Sequence, residues 1–197
     1  MSVVVASAAA FAFLATVSPG GATTLATASG TRFGFRRSVP LLVGIAAGLA
    51  TLAAAAGLGL ATVMSAVPGL QLATRVAGTG YLLWLAWGIA HSGAPKGADL
   101  ARPRTLLNGV LLLWLNPKAW AMTLSAAAAF AGSTTHHTQL AAVLGVCFGL
   151  GATASLILWC AAGTLFARLF RTDRQWRILN AVLAALLVAS IIPMWLE

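Results

Sequence analysis

The chain has 197 residues, 60% of them hydrophobic and 8% charged, and twelve Lys and Arg against three acidic residues leave a formal charge of +9. That apolar content excludes an ordinary soluble domain. Because the basic residues fall between apolar segments rather than along one polar face, the charge describes membrane topology and excludes a nucleic-acid surface.

A crossing of the hydrocarbon core needs about 20 apolar residues. In chain order such segments run from Ser2 to Ala28, Val39 to Ala66, Leu72 to Ala90, Leu106 to Ala131, Gln139 to Ala167 and Ile178 to Leu196. The expectation is an all-α integral membrane protein: one domain over residues 1–197, six transmembrane helices, and connections too short to fold separately. The first segment lacks a basic stretch before it and is followed by Arg32, Arg36 and Arg37, which suits a retained helix better than a cleaved signal. The connections TRFGFRR, HSGAPKGADLARPR and RLFRTDRQWR carry ten of the basic residues, whereas the second and fourth connections offer only Arg75 at a helix edge. Odd connections are therefore cytoplasmic, and both termini lie outside. Trp176 and Trp195, near the two ends of the last segment, suit interfacial anchors. The cysteines, Cys147 and Cys160, lie about 20 Å apart along one helix and cannot pair there.

The first segment is interrupted by Ser18-Pro19-Gly20-Gly21 and the fourth by Asn116-Pro117-Lys118. Proline removes a backbone donor and clashes with the carbonyl four residues earlier, and glycine weakens the helix further, so both spans should break. Small-xxx-small pairs follow each break, Gly44 and Gly48 in the second segment and Gly145 and Gly149 in the fifth. The halves, about 1–100 and 101–197, thus match coarsely. Three crossings in each half make the second enter the bilayer in the opposite sense, a 3+3 inverted repeat with helices 1 and 4 broken at proline. Irregular backbone at that depth is tolerated only inside protein or beside a water-filled cavity, so the two breaks should meet.

These motifs bring a resemblance into view. SPGG is similar to the SPGP of the LysE/RhtB family of amino-acid exporters, GTGYLLWLAWGI (Gly78 to Ile89) resembles its YL-containing element, and LLNGVLLLWLNPKAW (Leu106 to Trp120) resembles its NPK element. The resemblance implies a small inner-membrane exporter of amino acids or close derivatives, with no bound cofactor and the proton gradient as driving force. Many relatives place an aspartate in the second or fifth helix. Here Asp99, Asp173 and Glu197 all lie outside the spans, with Thr153 and Ser155 near the corresponding stretch of helix five. The ordinary carrier of a cation or proton is thus missing, which favours a neutral substrate and leaves proton coupling open.

A zwitterionic substrate needs donors for its carboxylate and acceptors for its ammonium. The helix restarting after Pro19 should offer amides at Gly20, Gly21 and Ala22, and the carbonyls near Thr16 and Val17 should be free to accept. Lys118 lies about 12 residues, or about 18 Å, into helix four, where a lysine costs roughly 2.5–3.5 kcal/mol. With no acid in any span, it must bind the substrate carboxylate, donate to carbonyls freed by Pro117, or lose its charge. The candidate substrate-binding set is Ser18, Pro19, Gly20, Gly21, Tyr81, Asn116, Pro117 and Lys118, with Thr153 and Ser155 behind them. The remaining tryptophans are assigned to packing or lipid contact. Adjacent His136 and His137 lack a third ligand for a metal. The glycine pairs could pack helices within a subunit or join two copies. The rival to transport is a membrane scaffold whose breaks only shape packing. An enzyme is weaker, because the spans hold no carboxylate pair, histidine cluster or Ser/His couple.

Overall fold

A computed structural model describes residues 2–60, 68–91, 104–133, 136–192 and 195, and the regular structure among them is entirely helical. The elements are α1 (Ser2–Val17), α2 (Gly21–Ala55) extended by a π-helical turn (Ala56–Leu60), α3 (Pro68–Ala90), α4 (Leu106–Trp114), α5 (Pro117–Phe130) ending in a 3-10 turn (Ala131–Ser133), α6 (His137–Leu169) and α7 (Asp173–Ala189). Two helical stretches, Gly21–Leu60 and His137–Leu169, are by themselves long and apolar enough to cross a membrane. Residues 92–103 and 134–135, which contain most of the third and part of the fourth expected connection, lie outside the described residues.

α2 is not one straight rod. Gly34 has φ 75 and ψ 170, a region open in practice only to glycine. The Ser29 and Ser38 hydroxyls are 2.7 Å apart, although nine residues of straight helix would separate them by about 13 Å. The chain therefore folds back at Gly34 into two arms, 21–33 and 35–55. Sequence reasoning expects the seven-residue loop TRFGFRR here; the reversal instead takes one glycine, braced by Ser38, whose hydroxyl donates to the Gly34 carbonyl at 2.8 Å. A Cβ at Gly34 would meet nothing within 4 Å, so only backbone strain opposes a side chain. Gly34→Val is expected to cost about 1–3 kcal/mol, read as a lower unfolding midpoint of the purified protein. An unchanged midpoint would mean that the turn has another backbone path.

Capping sets two helix starts. Thr105 and Asn108 cap α4 reciprocally: Asn108 Oδ1 accepts from the Thr105 amide at 2.9 Å, and the Thr105 hydroxyl accepts from the Asn108 amide at 3.4 Å. Thr172 and Gln175 do the same for α7. The last helix therefore begins at Asp173, five residues before the expected Ile178.

Close helix crossings use small residues. A Cβ on Gly44 would run into the Leu106 carbonyl, and one on Gly109 would run back into the backbone of Leu41 and Ile45. Gly48 faces Val110, while Gly145 and Gly149 face Ala50 and Ala54. Both small-xxx-small pairs thus make helix contacts within the chain. α1 crosses α6 where Ala12 meets Gly151, arm 21–33 crosses α6 at Gly30 and Gly163, and α3 packs on α7. Leu41, Ile45, Leu52, Leu112, Leu144 and Phe148 fill the interior. Leu14, Trp87 and Leu150, each about two-thirds exposed, make the outer face apolar as well. Trp176, expected as an interfacial anchor, packs against protein: it is buried edge-on against Phe170, with ring centroids 6.0 Å apart. Trp195 is half exposed and donates its indole N–H to the Thr79 hydroxyl.

Candidate functional site

Both prolines interrupt the helix. Proline 19 has no amide to give the Ala15 carbonyl, and the Ser18 hydroxyl takes that acceptor instead at 2.7 Å. Straight helix would next pair Gly20 with Thr16 and Gly21 with Val17. The Thr16 carbonyl instead accepts from Ser155 Oγ at 2.7 Å, and that of Val17 from the Trp159 indole N–H at 3.1 Å. The Ser18 and Pro19 carbonyls both accept from Lys118 Nζ at 3.0 Å, and the Ser18 hydroxyl accepts from the same nitrogen at 2.8 Å. The orphan carbonyls at the end of α1 are therefore filled almost wholly by side chains from more than 95 residues away.

This corrects two expectations. The carbonyls of Thr16 and Val17 already hold Ser155 and Trp159. Lys118 donates to carbonyls freed by Pro19, not to those freed by Pro117. The donor side of the break is left open. The Gly20 amide is taken by Thr23 Oγ1 at 2.8 Å, but the amides of Gly21, Ala22 and Thr23 have no acceptor among the described residues.

The second break satisfies itself. Asn116 Oδ1 accepts from the Lys118 amide at 3.1 Å and caps α5, with Pro117 in the first helical position, where its missing amide does no harm. The Trp114 carbonyl accepts from the Trp120 indole at 2.7 Å, and the Leu115 carbonyl lies against Gly78 of α3 with no room there for a Cβ.

The breaks meet, as expected. Besides the Lys118 bonds, a Cβ on Gly21 would lie 3.2 Å from Asn116 Nδ2, and one on Gly20 would lie 3.0 Å from Lys118 Nζ. Around this junction is a cavity of about 30 Å³, room for one or two waters. Its polar lining includes Thr16, Ser18, Thr23, Asn116, Lys118 and Ser155, set among Ile45, Leu49, Leu113, Met122 and Leu156. Seven of the ten candidates (Ser18, Pro19, Gly20, Gly21, Asn116, Pro117 and Lys118) belong to the two breaks, and Ser155 joins them. Thr153 does not: it is exposed, and its hydroxyl donates to the Gly149 carbonyl one turn back. Tyr81 lies off the cavity, stacked on Trp84 with centroids 5.9 Å apart, and its buried hydroxyl has no hydrogen-bond partner among the described residues. Arg104 covers the same Trp84 ring at 5.2 Å. Sequence reasoning missed Trp159. The signal lay in the spacing, since Ser155 and Trp159 stand four apart on one helix face.

Comparison with known proteins now decides the family. The LysE type translocator model matches residues 13–190, a stretch that contains both breaks, the cavity lining and the glycine crossings. The chain belongs to the LysE type translocator family. This translocator is also similar to the cysteine/O-acetylserine efflux proteins of Escherichia coli strain K12 and Shigella flexneri, at 31% identity over 179 residues that cover 90% of each chain. The corresponding protein of Escherichia coli O139:H28 is 30% identical over the same length. No solved structure matches it. Membership makes it a helical membrane transport protein, and among its described residues no three of His, Cys, Asp or Glu gather as a metal site would require.

Proposed function

We propose that the translocator exports small neutral amino acids or close derivatives across the inner membrane by alternating access. Six spans form a 3+3 inverted repeat with both termini outside: α1 with arm 21–33, arm 35–60, α3, α4 with α5, α6, and α7. The packing supports a repeat of this kind. α1 lies on α6 as α4 lies on arm 35–55, and α3 pairs with α7, so equivalent elements of the two halves make equivalent contacts.

The observation that carries the reading is the cavity where the two breaks meet, with open amides on one side and the Lys118 ammonium on the other. A small, mostly apolar site with a few convergent polar groups suits a compact amino acid. None of the described residues lining the cavity is acidic, so it offers no carboxylate to a basic substrate side chain. Relatives named for cysteine and O-acetylserine efflux handle small neutral compounds of this class. At about 30 Å³ the cavity is too small for such a molecule, so transport requires the halves to part around the breaks.

The test is efflux of labelled cysteine, serine and O-acetylserine from proteoliposomes, with and without an imposed pH gradient. Export of at least one of them at a rate well above protein-free vesicles is expected. Acceleration by the gradient would add proton coupling. No export of any, together with cysteines introduced at positions 20 and 116 that a soluble maleimide reaches from neither side, would instead establish the scaffold.

A further inference from the structure

The Lys118 ammonium has three hydrogen-bond donors and three acceptors: Ser18 O and Pro19 O at 3.0 Å and Ser18 Oγ at 2.8 Å. A free amino acid would present the same group, a primary ammonium, to the same cradle of carbonyls. Immediately beyond that cradle the amides of Gly21, Ala22 and Thr23 start a helix and lack acceptors among the described residues, an arrangement that draws a carboxylate. The acceptor half of a zwitterion site is thus filled by the protein's own cation while the donor half stands open. Filling it also ties the two breaks together, since Lys118 sits on α5 and its acceptors lie between α1 and α2.

We propose that Lys118 is a tethered stand-in for the substrate's α-ammonium. An arriving amino acid places its own ammonium on the Ser18 and Pro19 carbonyls, and the displaced Lys118 pairs with the substrate carboxylate, which also takes the amides of Gly21 and Ala22. This rests on the export reading above and specifies its selectivity. The exchange conserves charge: one ammonium lies on the carbonyls before and after, and the displaced lysine gains the carboxylate as partner. No acidic residue is needed, in agreement with a cavity lining that includes none among the described residues. A ligand without an ammonium cannot displace the lysine, and one without a carboxylate leaves the displaced lysine unpaired inside the bilayer, which is costly. Because the tie between the breaks is released only by a zwitterion, opening is coupled to occupancy.

Cysteine, cysteamine and 3-mercaptopropionate separate these requirements, since the second lacks the carboxylate and the third the ammonium. Binding is read as protection of the purified protein against thermal unfolding, under reducing conditions. Wild type is expected to bind cysteine and to bind each analogue at least tenfold more weakly. Lys118→Met should lose at least tenfold for cysteine and gain at least tenfold for cysteamine, because the vacated carbonyls then accept an ammonium without competition. Lys118→Gln, which keeps an amide donor one bond short of the ammonium's position, should show a smaller gain, and it replaces the methionine variant if that one does not fold. Unchanged cysteine binding or no gain of cysteamine in a folded variant overturns the stand-in role. So does wild-type protein that binds 3-mercaptopropionate as tightly as cysteine, a comparison that needs no variant. Wild type that binds none of cysteine, serine and O-acetylserine removes the export reading and this inference with it, whereas cysteine binding without the gain for the amine removes this inference alone.

Discussion

Gly44→Val should remove most of the folded protein, measured as loss of the monodisperse peak when detergent extracts are run on a sizing column. The Cβ of any residue at 44 would enter the space of the Leu106 carbonyl, whose Cα is also within contact distance. Overpacking a core costs about 1–3 kcal/mol when neighbouring side chains can shift. Here the obstacle is backbone at the start of α4, held by the reciprocal Thr105–Asn108 cap, so relief means moving the whole helix. That motion separates α4 from arm 35–55 along the stretch where Gly48 and Gly109 also touch, and much of a total stability of about 5–15 kcal/mol is then at risk. Gly109→Val should fail in the same way. Because the two clashes open one crossing, the double variant should be less destabilised than the sum of the singles. Gly80→Val is the control, with nothing within 4 Å of its Cβ, and should leave the peak unchanged. Retention of a normal peak by Gly44→Val would mean that α4 and α2 can part without unfolding.

What was legible in the sequence and what was not follows from where each signal resides. The breaks at Pro19 and Pro117 were readable because proline's missing amide and its clash with the preceding turn act on the local chain, whatever surrounds it. The glycine pairs were readable as close-approach positions, although their partners, Val110 and Leu106 for one pair and Ala50 and Ala54 for the other, were not. The turn at Gly34 was hidden inside a basic stretch that looked like a seven-residue loop, because a glycine at positive φ leaves no mark on the residues around it. The acceptors of Lys118 were invisible for a related reason. They are backbone carbonyls, which every residue has, and only the fold decides that those of Ser18 and Pro19 lie within 3.0 Å of the ammonium. Thr153 and Ser155 are chemically alike and two residues apart, which puts them on nearly opposite sides of α6. Composition cannot tell which side faces inward; the structure buries Ser155 and exposes Thr153. The family resemblance was carried by the local motifs SPGG and NPK and needed none of this geometry.

The same difference between local and distant causes predicts what keeps the first break open. If proline alone were responsible, Pro19→Ala would restore continuous helix. The end of α1 is instead held by Ser155, Trp159 and Lys118, all from the other half of the chain, and these donors stay in place when the proline goes. Pro19→Ala should therefore unfold within about 0.5 kcal/mol of wild type, as an exchange that removes no hydrogen bond. Ser155→Ala and Trp159→Phe each remove the donor without adding bulk and strand a carbonyl, Thr16 in one case and Val17 in the other, at a cost of about 1–3 kcal/mol. The double variant should fall short of the sum, because a break that has lost one cap has already begun to rearrange the other. Thr153→Val, two residues along the same helix but on its exposed face, should change nothing measurable. Unfolding in a denaturing detergent gives these differences, and efflux should fall in parallel with the capped carbonyls lost. A Pro19→Ala protein that loses transport while Ser155→Ala and Trp159→Phe keep it would reverse the assignment: the break would then depend on its own proline, and the side chains of α6 would be ordinary packing.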